Sequence, residues 1–186
     1  MSAPLSGFVP RRLPATLAAA LTLSVGGVVA APASHATGVD ITCLAGSSNV
    51  TYDPPLTNTL RDTNTTVTNN FSCTSLLTGV SSGTATATRV QELSCLLALT
   101  PPTATSSDTY TWNTGQTSTA TYVSTTVVRA VDGTATVTAV GSITSGLGQG
   151  SSASKIVVIP QLSLTACATT GLEETNGVAN LVIVPV

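Results

Sequence analysis

Histidine is almost absent from this 186-residue sequence: its one copy, His35, falls in a segment that reads as removed on export. Without an imidazole, Ser-His-Asp and Cys-His constellations are excluded from the rest of the chain. Lysine is as scarce. A Ser-Lys pair would have to use Lys155, and Ser152, three residues earlier, is not taken as its partner. Charged residues make up only 8% of the chain, and no pair of carboxylates is spaced for glycoside hydrolysis. Glu173 and Glu174 are adjacent, so they read as a solvated turn. Neither a C-x-x-C nor a Cys/His spacing argues for zinc. Asp53, Asp62 and Asn64 lack the D-x-D-x-D-G spacing of a calcium loop. Gly146-Leu147-Gly148-Gln149-Gly150 is followed by no Lys-Ser/Thr and reads as a strand connection rather than a phosphate cradle. No catalytic residue, cofactor or metal is expected, and the protein is read as not an enzyme.

Long apolar runs are also missing, save one. Arg11 and Arg12 precede an apolar stretch over residues 15–31, and Ser34-His35-Ala36 supplies small residues at a signal-peptidase site. Residues 1–36 are therefore read as a signal peptide cleaved after Ala36, with Ala33 as the second choice. Leu13-Pro14 after the arginine pair favours the general secretory route over the twin-arginine one. Residues 178–186 are too few to span a bilayer, so the expected location is extracellular, with cell-wall association as a variant.

The length of the remainder, residues 37–186, suits a single domain. It holds four basic residues, Arg61, Arg89, Arg129 and Lys155. Against them stand eight acidic ones, Asp40, Asp53, Asp62, Glu92, Asp108, Asp132, Glu173 and Glu174. A chain with so few, widely scattered cations is a poor partner for nucleic acid or an anionic membrane surface, and neither is expected. Disorder is rejected as well. Val, Ile and Thr alternate in short runs bounded by turn residues, which is the pattern of half-buried strands.

Ten strands are predicted, over residues 39–44, 49–52, 65–72, 84–99, 109–112, 120–131, 134–143, 152–159, 162–167 and 178–184, with a bend near Glu92. Asp132-Gly133 predicts a two-residue hairpin turn. That register sets Ala130 opposite Ala135, Val128 opposite Val137, Thr126 opposite Ala139 and Tyr122 opposite Ile143 on one face. On the other face it sets Arg129 opposite Thr136, Val127 opposite Thr138 and Val123 opposite Ser142. No window carries a helical period. Strands at this spacing predict an all-β fold, an antiparallel two-sheet sandwich of immunoglobulin-like type.

Four cysteines, Cys43, Cys73, Cys95 and Cys167, predict two disulfides in an oxidising compartment. Of the three connectivities, Cys43 to Cys73 and Cys95 to Cys167 is favoured, because each then ties strand to strand within a run of similar pattern. The aromatic residues of this region are Tyr52, Phe71, Tyr110, Trp112 and Tyr122. Tyr110 and Trp112, two apart, share one face of a strand. They are either a buried pair or a stacking platform for a sugar, and exposure of both is what distinguishes the platform.

Further stretches are Thr51-Tyr52-x-Pro54-x-Leu56-Thr57-x-Thr59-x-Arg61, Ser72-Cys73, Ser94-Cys95, Trp112-Asn113-x-Gly115-Gln116-Thr117-Ser118, Gly141-x-x-Thr144-Ser145-Gly146-Leu147 and Ala166-Cys167. In this order they resemble a group of small secreted actinobacterial proteins. The resemblance implies a disulfide-bonded β-sandwich and carries no functional residues. The functional expectation is a secreted, non-enzymatic interaction module that binds a protein or cell-wall glycan through loops or a sheet edge. The alternative is a small-molecule carrier or protease inhibitor on the same disulfide-braced scaffold.

Overall fold

A computed structural model describes residues 39–96 and 105–186. The expected signal peptide lies outside the described residues, as do the end of the 84–99 run and Pro101-Pro102. The elements in order are β1 (Ile41–Leu56), β2 (Arg61–Ser75), β3 (Ser82–Leu93), β4 (Ser106–Trp112), β5 (Thr117–Arg129), β6 (Ala135–Gly146), β7 (Ser152–Ile159), α1 (Leu164–Ala168) and β8 (Leu172–Val184). Each strand pairs antiparallel with the next, and β8 returns to β1, with Ile41 opposite Ile183 and Cys43 opposite Leu181.

The all-β expectation holds, but the sandwich does not: the strands form one closed eight-stranded barrel. Alternation of apolar and polar residues is the same in both architectures. What separates them is strand length and curvature. β1 joins two of the expected short strands into a 16-residue strand, because a bulge between Thr42 and Ala45 lets it bend without losing its partners. Further irregularities at Tyr122/Ser124 and Thr51/Leu56 add the curvature that closure needs. Closure pairs both sides of most strands; among the described residues β3 beyond Ala85 keeps one side without a strand partner.

The β5–β6 hairpin also corrects the predicted register by one residue. Ala130 N–H donates to Thr134 O at 2.8 Å and Gly133 N–H to Ala130 O at 3.0 Å, so the loop has three residues, Val131-Asp132-Gly133. Gly133 takes φ +84°, a left-handed conformation that suits glycine, and Thr134 N–H is held by Asp132 Oδ1 at 2.9 Å. The observed pairs are therefore Arg129 with Ala135, Val127 with Val137 and Thr125 with Ala139. A slip of one residue exchanges the faces. The bulge at Val123 then shifts the phase back, so Tyr122 and Ala120 point inward after all. Residues 162–167, expected as a strand, instead lead into α1, whose first turn is capped by Ser163 accepting from Ala166 N–H.

The barrel has two unlike ends. Around the β2–β3, β4–β5 and β6–β7 turns the lumen is solid: Ile41, Phe71, Tyr110, Trp112, Ile143, Leu181 and Ile183 form one buried core. The Cys43–Cys73 disulfide joins β1 to β2 there. Near the opposite end Tyr52, Leu56, Leu93, Cys95 and Cys167 form a second, smaller cluster under α1, braced by the Cys95–Cys167 disulfide. Both disulfides match the favoured pairing, and they fit an oxidising environment. Among the described residues no helix is long and apolar enough to cross a membrane.

Candidate functional site

The space between the two clusters is where the sequence rule of apolar inside is broken. On β4 the inward positions run Asp108, Tyr110, Trp112; on β3 they run Ala85, Ala87, Arg89; on β7 they run Ala153, Lys155, Val157. Each strand thus places a charge where its pattern calls for an apolar side chain. These charges meet. Lys155 Nζ reaches from β7 to Asp108 Oδ2 on β4, and Arg89 Nη2 donates to Asp108 Oδ1 at 3.4 Å. Because β5 and β6 lie between β4 and β7 in the wall, the Lys155–Asp108 pair spans the lumen. Asp108 is 6% exposed, Lys155 15% and Arg89 42%. The triad therefore sits at the boundary between the solid half and water.

Directly beneath lies an aromatic floor. Lys155 Nζ stands 5.0 Å from the centre of the Tyr122 ring, a cation–π distance. Tyr122 and Tyr110 share a hydrogen bond of 2.5 Å between their hydroxyls. Tyr110 stacks on Trp112 with centroids 5.6 Å apart, and Trp112 Nε1 donates to Ser118 Oγ at 2.8 Å. Tyr110 is 0% and Trp112 2% exposed, so the pair belongs to the barrel core and offers no stacking face to the surface. Burial pushes both phenols, Tyr110 and Tyr122, well above their ordinary range; the neighbouring Asp108 carboxylate adds to this at each. They stay protonated at neutral pH.

Above the floor the lumen opens. β4 pairs with β3 only from Gly83 to Ala85, and with β5 only as far as Tyr122. Beyond those points β3 and β5 have no strand between them among the described residues. The inward positions here, Val67, Ala87, Thr125, Val127 and Val137, are partly exposed, whereas the corresponding positions of the solid half are buried. An eight-stranded barrel is just wide enough for side chains to fill or for one small ligand to occupy. This one does the first in one half; in the other its inward side chains stay partly exposed. Two buried acceptors on β2, Thr65 Oγ1 and Asn69 Oδ1, have no hydrogen-bond partner, and Thr65 is directly across from Arg89.

The charges outside the triad are arranged just as unevenly. Arg129 continues the inward row of β5 at the rim, and Arg61 is used to hold the Pro55 carbonyl. Seven of the eight carboxylates face solvent, leaving Asp108 as the buried one. Both of its oxygens are engaged by cations, Oδ1 by Arg89 and Oδ2 by Lys155. The Ser152-Ala153-Ser154-Lys155 run does have the spacing of a Ser-Lys pair, but three residues along a strand the side chains point to opposite faces. The hydroxyl stays outside while the ammonium goes in. Glu173 and Glu174 lie on β8 rather than in a turn, both exposed; Asp53 and Asn64 are cross-strand neighbours of β1 and β2.

Comparisons of the chain with protein-family models, with curated proteins and with solved structures find no match. Sequence reasoning counted Arg89 and Lys155 among a few widely scattered cations and Asp108 among the acidic residues, and gave none of them a place in a site. The signal that could have found them was parity: each stands two residues from an Ala or aromatic that the barrel turns inward, Ala87, Tyr110 and Ala153.

Proposed function

We propose that this protein is a secreted, non-enzymatic carrier that holds one small molecule in the open half of its barrel. The observation that supports this most is the cup itself: partly exposed apolar side chains facing inward, over a solid aromatic floor, with three charges at its base. A core built only for stability would gain by filling that space with apolar groups, since buried ion pairs are poor stabilisers. Native mass spectrometry of the oxidised protein, purified from its own culture medium, is the test. A small molecule bound one to one and lost on unfolding is the expected result. A chain of bare mass that also takes up no apolar probe would overturn the reading.

A second reading, a module that binds a protein or cell-wall glycan, draws on the outer face of β7 and β8. There Val158, Pro160 and Val178 line a shallow groove with Thr134, Asn176 and Gly177. Retention of the protein on insoluble wall glycan, or of one partner from the medium, lost on changing Val178 to Asp but not on changing Arg89, would favour it. Export by the general secretory route, with cleavage after Ala36, is proposed for both.

A further inference from the structure

The cup holds more positive than negative charge, and that imbalance bears on what a carrier of this shape takes up. Arg89 and Lys155 share one carboxylate, so the triad carries one uncompensated positive charge, held where water is partly excluded. Such a charge is costly in a low-dielectric site unless an anion meets it. Arg89 contributes one guanidinium nitrogen to Asp108, over a long 3.4 Å, and its side chain is 42% exposed towards the opening.

We propose that the cup takes a carboxylate-headed amphiphile, an inference that rests on the carrier reading above. The head lies against the Arg89 guanidinium, with Lys155 behind it, and the apolar body runs along Val67, Ala87, Val127 and Val137. A monoanion matches the single excess charge, whereas a dianionic phosphate exceeds it. A planar carboxylate also suits the forked donors of arginine. Thr65 Oγ1, unpaired beside Arg89, and Asn69 Oδ1 accept a hydrogen bond from a hydroxyl of the guest or from water that it traps. Arg129 at the rim adds long-range attraction, and the outward placement of the other carboxylates keeps like charge away from the path.

The experiment is calorimetric titration of the oxidised protein with three ten-carbon probes, decanoate, decanol and decyltrimethylammonium, each repeated on Arg89→Gln. Decanoate is expected to bind one per chain and more tightly than decanol by about tenfold or more, the scale of one charge-assisted hydrogen bond. Arg89→Gln, with a melting temperature within about 4 °C of wild type, is expected to erase that advantage and leave decanol as it was. Decanol binding as tightly as decanoate, tightest binding of the cationic probe, or indifference to Arg89→Gln would overturn the carboxylate assignment while leaving a carrier. Binding of none of the three would overturn the carrier reading, and this proposal with it.

Discussion

The Lys155–Asp108 pair across the lumen can be tested by a double-mutant cycle built from Asp108→Asn and Lys155→Met. Removing the carboxylate leaves the Lys155 ammonium, 15% exposed, with the Tyr122 ring at 5.0 Å as its remaining partner. An uncompensated buried charge costs about 3–5 kcal/mol. Water reaches this site from the open half, which puts the cost at the lower end, about 3 kcal/mol. The other single change is milder. Lys155→Met takes away a cation but leaves Asp108 neutralised by Arg89, and the methionine keeps most of the side-chain volume, so about 1 kcal/mol is expected. In the double variant neither charge needs the other, and its cost should stay near that of Lys155→Met alone.

The cycle therefore predicts a coupling of about 3 kcal/mol, well above the roughly 0.5 kcal/mol within which independent sites add. Urea unfolding followed by far-ultraviolet circular dichroism gives the three differences. Thermal melts give a second reading, with Asp108→Asn lowering the midpoint by about 6–12 °C for a domain of this size. Additivity of the two single changes would refute the reasoning, since it would mean that the charges do not meet across the lumen in solution. Arg89→Gln serves as the control: its side chain is 42% exposed and the contact is long, so it should cost less than about 1 kcal/mol.

Three further outcomes rest on the same structure. Tyr52, Tyr110 and Tyr122 are all the tyrosines in the chain, and burial raises the pKa of each. A phenol whose pKa is higher folded than unfolded contributes its full stability below about pH 10 and loses it as pH rises beyond that value. A spectrophotometric titration should therefore show no phenolate until alkaline unfolding releases all three together; a separate step in the folded protein would contradict this. Replacing Cys95 and Cys167 together by Ser opens a separation of 72 residues and should cost about 4 kcal/mol by chain entropy, read as a fall in the urea midpoint, against about 3.5 kcal/mol for the pair separated by 30. Equal midpoints for wild type and either variant would rule that out. Gly83→Val should destabilise by about 1–3 kcal/mol and shift Trp112 emission, because a Cβ at Gly83 would overlap the indole ring; an unchanged spectrum would show that Trp112 does not pack there.

Much of the fold was legible, for reasons that particular residues make plain. Thr84-Ala85-Thr86-Ala87-Thr88 and Thr109-Tyr110-Thr111-Trp112 can only be half-buried strands, and Cys43 and Cys73 fall on runs that pair as neighbours. Closure was not legible, because a sandwich and a barrel draw the same alternation. It depends on Ile41 finding Ile183, at opposite ends of the barrel sequence, and on bulges that leave no mark in composition. The loop at Asp132-Gly133 misled by one residue for a related reason. Asp-Gly serves the two-residue turn as well as the three-residue turn with a left-handed glycine, and the second arrangement wins here by the bond from Thr134 N–H to the Asp132 carboxylate. α1 escaped notice because five residues are too few to show a period.

The site was hidden by the arithmetic of charge rather than by the absence of signal. The four basic residues of residues 37–186 look like solvated accidents when they are counted, and three of them belong to the inward rows of β3, β5 and β7 when they are placed. Counting asks how much charge there is, whereas parity asks which side of the wall it is on. For a strand of alternating Thr and Ala, an outward Arg costs nothing and carries no information; an inward one has to be compensated. Arg89 and Lys155 are compensated by one carboxylate between them. In an all-β chain poor in charge, a cation at apolar parity is thus the residue that marks where the interior stops being a core and becomes a container.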